Sequence, residues 1–189
     1  GLPLVYVTLP QFTGTTFVVK RAMDIVVSLI AVVLLTLPML LVALAIKLDD
    51  RGPVFFRQVR IGADGVPFTM LKLRSMRVDA EEVRAQLLAQ DEGAGLLFKM
   101  KTDPRLTRVG GILRKLSLDE LPQFLNVLGG SMSVVGPRPP LPQEVAAYEG
   151  DVSRRLLIKP GITGLWQVSG RSDLSWEESV RLDLAYVEN

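Results

Sequence analysis

The 189-residue sequence contains neither cysteine nor histidine. These absences exclude disulfides, cysteine nucleophiles, histidine bases and metal sites built from thiolates or imidazoles. Any chemistry must therefore use carboxylates, hydroxyl groups, lysine or arginine side chains, or a hard metal ion bound by oxygen atoms. The length suffices for one domain with a hydrophobic core. The sequence pI near 9.1 favours anionic partners.

Charge is also absent from one long segment. Residues 25 to 46 carry no charged side chain, and a straight helix of that length could cross a bilayer core of roughly 30 Å. Pro38 removes one helical hydrogen bond, and the Thr36 hydroxyl can donate to a carbonyl one turn earlier and help a bend. Basic residues such as Lys20 and Lys47 flank both ends, whereas a spanning helix usually has its basic excess on one side. The sequence therefore predicts a bent, re-entrant helix with both ends in the cytoplasm. An ordinary spanning helix that tolerates the proline is the alternative.

The pattern divides the chain into three regions. Residues 1–19 are predicted to be an extended lead-in or linker, residues 20–49 the membrane re-entrant helix, and residues 50–189 a cytoplasmic domain. Within that domain, residues 54–76 are typical of a β-hairpin around an Asp64-Gly65 turn. The rest is mainly helical, so we predict an α+β fold: a membrane-inserted helix and a small, mainly helical domain with a short hairpin.

Two adjacent acids open a leucine-rich segment. Residues 117–120, Ser-Leu-Asp-Glu, are typical of a capping box and predict a helix from Leu118. Asp119, Gln123 and Asn126 fall on one side of that helix, as in the wall of a polar cleft. The helix N-terminus should keep Asp119 ionised, and an ionised carboxylate beside Mg²⁺ and arginines can attack phosphorus. The alternative is that both acids only cap the helix.

Two further features bear charge in unusual places. Ser175 and Glu178 form a second predicted capping box, and Asp183 falls within the apolar stripe of the helix that follows. An acid there must be paired with an arginine or bind a ligand, and the pattern leaves both open. Residues 133–142 predict a strand that enters a proline-fixed loop presenting Arg138, which suits bidentate phosphate binding. A polyproline ligand for a partner domain is the alternative there. Trp166 is assigned to the core.

Six short motifs follow one another along the chain. They are Lys20-Arg-x-x-Asp24, Phe56-Arg-Gln58, Lys72-x-Arg-Ser-Met76, Leu118-Asp-Glu-Leu-Pro122, Val135-Gly-Pro-Arg-Pro139 and Pro160-Gly-Ile-Thr-Gly164. In this order they resemble the bacterial monotopic phosphoglycosyl transferases, also called bacterial sugar transferases or polyprenyl glycosylphosphotransferases. The resemblance runs from about Lys20 to Asn189 and implies the catalytic part of a long member. One departure is Leu37-Pro38, where many members have Ser-Pro.

The resemblance implies an activity and a site. The family moves a sugar-1-phosphate from a UDP-sugar to polyprenyl (undecaprenyl) phosphate and releases UMP, in the first membrane step of polysaccharide synthesis. By resemblance, Asp119 is the nucleophile that forms a phosphoryl-aspartate, and Glu120 with Asp119 holds Mg²⁺, with Mn²⁺ as a substitute. The implied substrate-binding residues are Arg57, Gln58, Lys72, Arg74, Arg114, Arg138, Arg171 and Asp183.

The implied setting is the bacterial inner membrane, with the catalytic domain facing the cytoplasm and in contact with membrane lipid. The sequence leaves the oligomeric state open, with a homodimer as one candidate, and nucleic-acid binding is not expected. Two other functions stay open on the sequence. One is a membrane-bound glycosyltransferase that moves only the sugar and releases UDP. The other is a non-catalytic membrane adaptor that uses the basic run of residues 99 to 115 and the proline loop.

Overall fold

A computed structural model describes residues 14–80, 82–83, 103–170 and 174–188. Helices and short sheets are mixed in this part of the chain, which confirms the predicted α+β class. The helices are α1 (Gly14–Asp49), α2 (Arg108–Lys115), α3 (Gln123–Leu128), α4 (Pro142–Ala146), α5 (Leu165–Val168) and α6 (Trp176–Glu188), and the strands are β1 (Phe55–Ile61), β2 (Pro67–Leu73), β3 (Ser133–Val135) and β4 (Gly161–Thr163).

Helix α1 is long and apolar enough to cross a membrane. Much of it faces away from the rest of the protein, and the Leu34 side chain is 70% exposed. An exposed apolar helix of this kind indicates a membrane-associated protein. The helix continues through Pro38, and the Thr36 hydroxyl donates to the Val32 carbonyl at 2.6 Å, as predicted. Residues 14–19, expected in an extended lead-in, are helical and extend α1 towards the N-terminus.

Strands β1 and β2 form the predicted antiparallel hairpin. Asp64 and Gly65 turn the chain with φ angles of 56° and 75°, a region that glycine and aspartate tolerate better than most residues. Met70 and Leu73 of β2 are buried in two separate apolar clusters. The cluster of Leu73 includes Ile46 of α1, so the hairpin packs directly against the membrane helix.

The start of α1 is fastened to β3 by the first of the six motifs. The Asp24 carboxylate accepts hydrogen bonds from the Ser133 hydroxyl at 3.0 Å and from the Val134 backbone N–H at 2.9 Å. Lys20 donates to the same hydroxyl at 2.6 Å and to the Val135 carbonyl at 3.0 Å. We call this network the anchor. It joins the start of α1 to β3 through buried and half-buried polar groups.

Both ends of α1 are held by residues that follow it in the chain. Near the start, Arg21 donates to the carbonyls of Val127 and Leu128 at 2.6 and 3.0 Å, which satisfies the free carbonyls at the end of α3. At the other end, the Asp49 carboxylate accepts a hydrogen bond from the Val109 N–H of α2 at 3.0 Å. The two ends of α1 are therefore both attached to the rest of the described structure.

The two predicted capping boxes have different outcomes. At the start of α6 the box is confirmed: the Ser175 N–H donates to Glu178 at 2.9 Å, and the Glu178 N–H donates to the Ser175 hydroxyl at 3.2 Å. The box at residues 117–120 is wrong. Ser117 has a φ of 56° and makes no side-chain cap bond, and residues 118–120 form only a 3₁₀ turn before α3. The reason is Pro122, which has no N–H to donate to the Leu118 carbonyl.

Strands β3 and β4 pair in parallel, with Ser133 opposite Gly161 and Val135 opposite Thr163. The pairing brings the loop after β3 against β4. A Cβ atom on Gly161 would lie 2.1 Å from the Gly136 nitrogen, so only glycine allows this close backbone approach. Two of the six motifs therefore meet side by side.

Candidate active site

A pocket of about 550 Å³ lies between the hairpin, the 118–120 turn, α3, the loop after β3, and β4 with α5. Its wall combines an excess of cations with two adjacent acids, the composition expected for a site that binds a polyanion. We call it the polar pocket. The charged residues in its wall are Arg60, Lys72, Arg114, Asp119, Glu120 and Arg138.

Asp119 is the most isolated acid of this pocket. It is only 7% exposed, and apart from an interaction with its own backbone, no hydrogen bond to its carboxylate occurs within the described ranges. Burial raises the pKa of Asp119, and neighbouring Glu120 adds to the rise, whereas Lys72 and Arg114 oppose it. The predicted α-helix start at Leu118 is wrong, because α3 begins only at Gln123, so Asp119 does not lie in the first turn of an α-helix. The carboxylate is desolvated but surrounded by cations, an environment typical of reactive groups.

Glu120 has a different environment from its neighbour. Its carboxylate lies 2.7 Å from the Lys72 ammonium and is partly exposed. Lys72 therefore holds Glu120 directly and acts on Asp119 only through its charge. The two adjacent acids thus differ in burial and in partners, so they can take different roles.

Arg138 is held in a fixed orientation by Glu144. The Glu144 carboxylate is 1% exposed and accepts hydrogen bonds from both terminal nitrogens of Arg138, at 2.9 and 3.3 Å. It also accepts from the Leu141 N–H at 2.7 Å. The paired geometry leaves the remaining N–H groups of a rigid guanidinium for a ligand in the polar pocket.

The structure brings Lys72, Arg114 and Arg138 together with the two acids. Other predicted substrate-binding residues lie outside the pocket wall. Arg74 is buried in an ion pair with Asp50 and donates to the Pro53 carbonyl at 2.6 Å. Arg57 is exposed, Gln58 accepts hydrogen bonds from Arg60, and Asp183 is paired within the core. Arg171 lies outside the described residues. Their roles in substrate binding stay predictions.

Asp183 forms a buried ion pair with Arg155, which is the structural alternative left open above. The guanidinium of Arg155 also lies 5.8 Å from the Tyr148 ring centre and 5.6 Å from that of Trp176. Burial raises the pKa of Asp183, and the charge of Arg155 and an interaction with the Arg138 backbone oppose the rise. Asp183 therefore holds the backbone of the Arg138 loop from outside the polar pocket.

The predicted polar stripe of α3 divides between two roles. Gln123 lies in the wall of the polar pocket. Asn126 instead connects α3 to β2, because its side chain donates to the Thr69 carbonyl at 2.8 Å and accepts from the Leu71 N–H at 3.0 Å. The stripe therefore predicted correctly that these side chains lie in polar surroundings, but it did not predict that Asn126 binds β2.

Sequence reasoning missed part of the wall. Trp166, assigned to the core, lies half-buried in the pocket wall beside Thr163 and Gln167. Its position directly after a glycine-rich motif was the available signal. Arg60 is also in the wall, and its place two residues after Gln58 puts both on one face of β1.

A second pocket of about 290 Å³ adjoins the first and is almost entirely apolar. One side is α1, from Val32 to Ala43, and the other comprises residues of the hairpin and α3. Leu121 and Phe124 belong to the walls of both pockets. The polar pocket therefore adjoins, at Leu121 and Phe124, an apolar pocket that lies along α1.

The carboxylates present suit a hard metal ion that is shared with a substrate. The described residues contain no cluster of three or more acids that could bind a metal alone. Asp119 and Glu120 are the two acids of the polar pocket. Mg²⁺ usually takes one or two carboxylates and completes its shell with substrate phosphates and water. This pair meets that requirement.

Comparison with known proteins defines the class. Residues 15–189 match the family described as "Bacterial sugar transferase", and the chain belongs to that family. The "Exopolysaccharide production protein ExoY" of Sinorhizobium fredii is 40% identical over 189 residues, which cover 96% of this chain and 84% of the relative.

Two longer relatives have more specific names. "Galactosyl transferase CpsE" of Streptococcus agalactiae is 42% identical over 188 residues, 99% of this chain and 42% of the relative. "UDP-glucose:undecaprenyl-phosphate glucose-1-phosphate transferase" of Escherichia coli is 39% identical over 195 residues, 99% of this chain and 40% of the relative. The chain spans less than half the length of these two relatives.

Proposed function

We propose that this protein is a phosphoglycosyl transferase. It moves a sugar-1-phosphate from a UDP-sugar to polyprenyl phosphate and yields polyprenyl-diphosphate-sugar and UMP. The observation that carries the proposal is the buried Asp119, without a hydrogen-bonding partner beyond its own backbone within the described ranges, in a pocket with four cations. The name of the Escherichia coli relative states this kind of transfer.

The proposed chemistry has two balanced steps. An Asp119 oxygen attacks the β-phosphorus of the donor, and the bond from that phosphorus to the bridging oxygen breaks. UMP leaves with the electron pair, and a sugar-phosphoryl-aspartate forms. An oxygen of the lipid phosphate then attacks the same phosphorus and releases the carboxylate. Lys72, Arg114 and Arg138 stabilise the negative charge that develops on the phosphoryl oxygens and on the leaving group.

Asp119 and Glu120 would hold Mg²⁺, or Mn²⁺, together with the phosphate oxygens of the donor. The ion would supply charge neutralisation and orientation of the diphosphate. We expect EDTA to abolish turnover, and Glu120→Gln to raise the Mg²⁺ concentration needed for half-maximal rate. Full turnover after exhaustive chelation would rule the metal out.

The apolar pocket supports a lipid acceptor. An amphiphile whose phosphate enters the polar pocket would pass Leu121 and Phe124 and lay its first apolar units against α1. Such burial is favourable by about 0.8 kcal/mol for each CH₂ group removed from water. A soluble acceptor with only a hydroxyl group would have no apolar chain to bury against this surface.

The fastening of α1 supports the re-entrant topology. Its Asp24 end and its Asp49 end both bind the same domain, so a spanning helix would draw the polar anchor and part of the domain into hydrocarbon. Burying polar groups in hydrocarbon costs several kcal/mol for each unpaired group. We place both ends and the polar pocket on the cytoplasmic face of the inner membrane, where a UDP-sugar is available. The candidate homodimer and the expected absence of nucleic-acid binding stay predictions.

Product analysis tests the proposal. Purified protein is incubated with a panel of UDP-sugars, Mg²⁺ and polyprenyl phosphate, and the nucleotide released is identified. UMP is expected, and with the donor alone the protein should gain the mass of a sugar phosphate on Asp119. Release of UDP would show a transferase that moves only the sugar, and no consumption of any donor would favour the adaptor.

A further inference from the structure

Arg60 is the one cation of the polar pocket that no motif assigned. Its guanidinium donates to the Gln58 side-chain oxygen from two nitrogens, at 3.1 and 2.7 Å, and to the Pro139 carbonyl at 2.9 Å. These bonds use three of the five N–H groups of the guanidinium. Two N–H groups are left, on a side chain that lies in the pocket wall.

The position of Arg60 is fixed by two elements at once. Gln58 lies on the same strand, and Pro139 lies in the loop that carries Arg138. A backbone hydrogen bond from Ile61 to the Pro140 carbonyl, at 3.0 Å, joins the same strand and loop. The guanidinium is therefore pre-organised, and little side-chain entropy remains to be lost when a ligand binds.

The charge of Arg60 has no acid of its own. Within the ranges that the structure describes, Arg60 forms no ion pair, whereas Lys72 and Arg138 are paired with Glu120 and Glu144. Desolvation, together with the charge of Arg138, lowers the pKa of Arg60 to about 10, and the more distant charges of Glu144 and Glu120 oppose this shift only in part. An anion that enters the pocket would relieve the repulsion between these two cations.

We infer that Arg60 binds a phosphate oxygen of a substrate, and that Gln58 and Pro139 position its guanidinium for that contact. The phosphate belongs either to the donor diphosphate or to the lipid acceptor. The inference rests on the proposed function only for the identity of these substrates. Anion binding by the pocket can be measured without any turnover.

The direct experiment uses inorganic pyrophosphate as the probe. Its dissociation constant is measured from the thermal stabilisation of the purified protein in detergent, without divalent metal. Loss of charge-assisted hydrogen bonds predicts that Arg60→Met weakens pyrophosphate binding by roughly ten- to a hundredfold, and Arg60→Lys by less. Arg181→Met removes the same charge from an exposed site on α6 and should leave binding unchanged.

A second variant separates binding from structural support. Glutamate at position 58 can accept the same two hydrogen bonds, so Gln58→Glu should keep or raise the melting temperature without ligand. Its charge neutralises Arg60, however, and should weaken pyrophosphate binding by roughly tenfold. If Arg60 were purely structural, Gln58→Glu would act on pyrophosphate only through its added charge, and Arg60→Met would bind pyrophosphate as tightly as the parent does.

Kinetics identify the source of the phosphate. Donor contact predicts that Gln58→Glu raises KM for the UDP-sugar and leaves KM for polyprenyl phosphate unchanged, and acceptor contact predicts the reverse. Either result agrees with the inference. Pyrophosphate affinities of Arg60→Met and Gln58→Glu within twofold of the parent would overturn it, even if the protein released UMP as proposed.

Discussion

Asp24 and Asp119 are buried to almost the same extent, with 6% and 7% exposure, yet their surroundings differ. Asp24 accepts hydrogen bonds from Ser133 and Val134 and faces Lys20 at 3.9 Å. Asp119 has cations nearby but accepts no hydrogen bond from another residue in the part of the chain that is described. Burial alone therefore does not separate these two acids, whereas the hydrogen bonds that other residues donate to their carboxylates do.

The comparison extends to the regions around the two acids. The anchor joins α1 to β3, and its polar groups form hydrogen bonds with one another. The polar pocket keeps three arginines and a lysine around an open volume. A network whose polar groups are all hydrogen-bonded to one another stabilises the fold. A network that keeps N–H groups without a partner can bind a ligand through them.

The largest expected effect is that of Asp119→Asn. Turnover should fall at least about a thousandfold if this carboxylate is the nucleophile. Burial raises the pKa of Asp119, so its contribution to stability is complete below the unfolded pKa and is lost as pH rises through the folded pKa. At neutral pH the uncharged amide should therefore keep or raise the melting temperature. Differential scanning fluorimetry and a UMP-release assay check both results, and near-parent turnover would refute the assignment.

Asp24→Ala should give the opposite pattern. It leaves the Ser133 hydroxyl and the Val134 N–H without their buried acceptor and removes the carboxylate that faces Lys20, which should lower the free energy of unfolding by about 2–3 kcal/mol. Because Asp24 does not lie in the wall of the polar pocket, kcat per folded molecule should change little. Denaturant titration in detergent measures the first effect. Asp24→Asn, which keeps one acceptor oxygen, is the matched control and should lose less.

A third change, Lys72→Met, acts on Asp119 through charge. Lys72 opposes the rise in the pKa of Asp119, so its removal should raise that pKa further. If turnover needs the ionised carboxylate, the acidic limb of the rate profile should move to higher pH. Lys115→Met, which removes an exposed lysine outside the pocket wall, should leave the limb in place. If the acidic limb of Lys72→Met stayed at the pH of the parent, the group that titrates in this limb would not be Asp119.

Local patterns were sufficient for much of the fold. The hairpin and its Asp64-Gly65 turn, the capping box at Ser175, and the hydrogen bond of Thr36 all involve residues close in sequence. Periodicity and turn chemistry act over that range. The anchor is different, because Lys20 and Ser133 are 113 residues apart. The sequence indicated a basic flank and a motif from Lys20 to Asp24, but not their partners in β3.

The candidate site was predictable where one short motif contains the charged residues that form the site. Asp119, Glu120 and Arg138 were identified, and the structure brings them to one pocket. Asp183 was ambiguous because its partner, Arg155, comes from a separate segment. Arg60 was overlooked because its significance depends on the loop at Pro139, which only the tertiary fold brings to it.

The smallest expected effect concerns the membrane helix between the anchor and the C-terminal end of α1. Pro38→Leu restores an uninterrupted apolar helix long enough to span, but the anchor still holds its start. We therefore expect only part of the population to move its N-terminal end outside. Asp24→Ala combined with Pro38→Leu should increase that part, because the anchor is then weakened as well. Single cysteines at Val18 and Arg51, both exposed positions, can be labelled in intact cells with a membrane-impermeant thiol reagent, since the parent chain has no cysteine. Both sites should be protected in the parent and react after permeabilisation, with partial labelling at position 18 in Pro38→Leu. Strong labelling at position 18 in the parent would show that α1 spans the membrane and that the anchor does not keep both ends on one face.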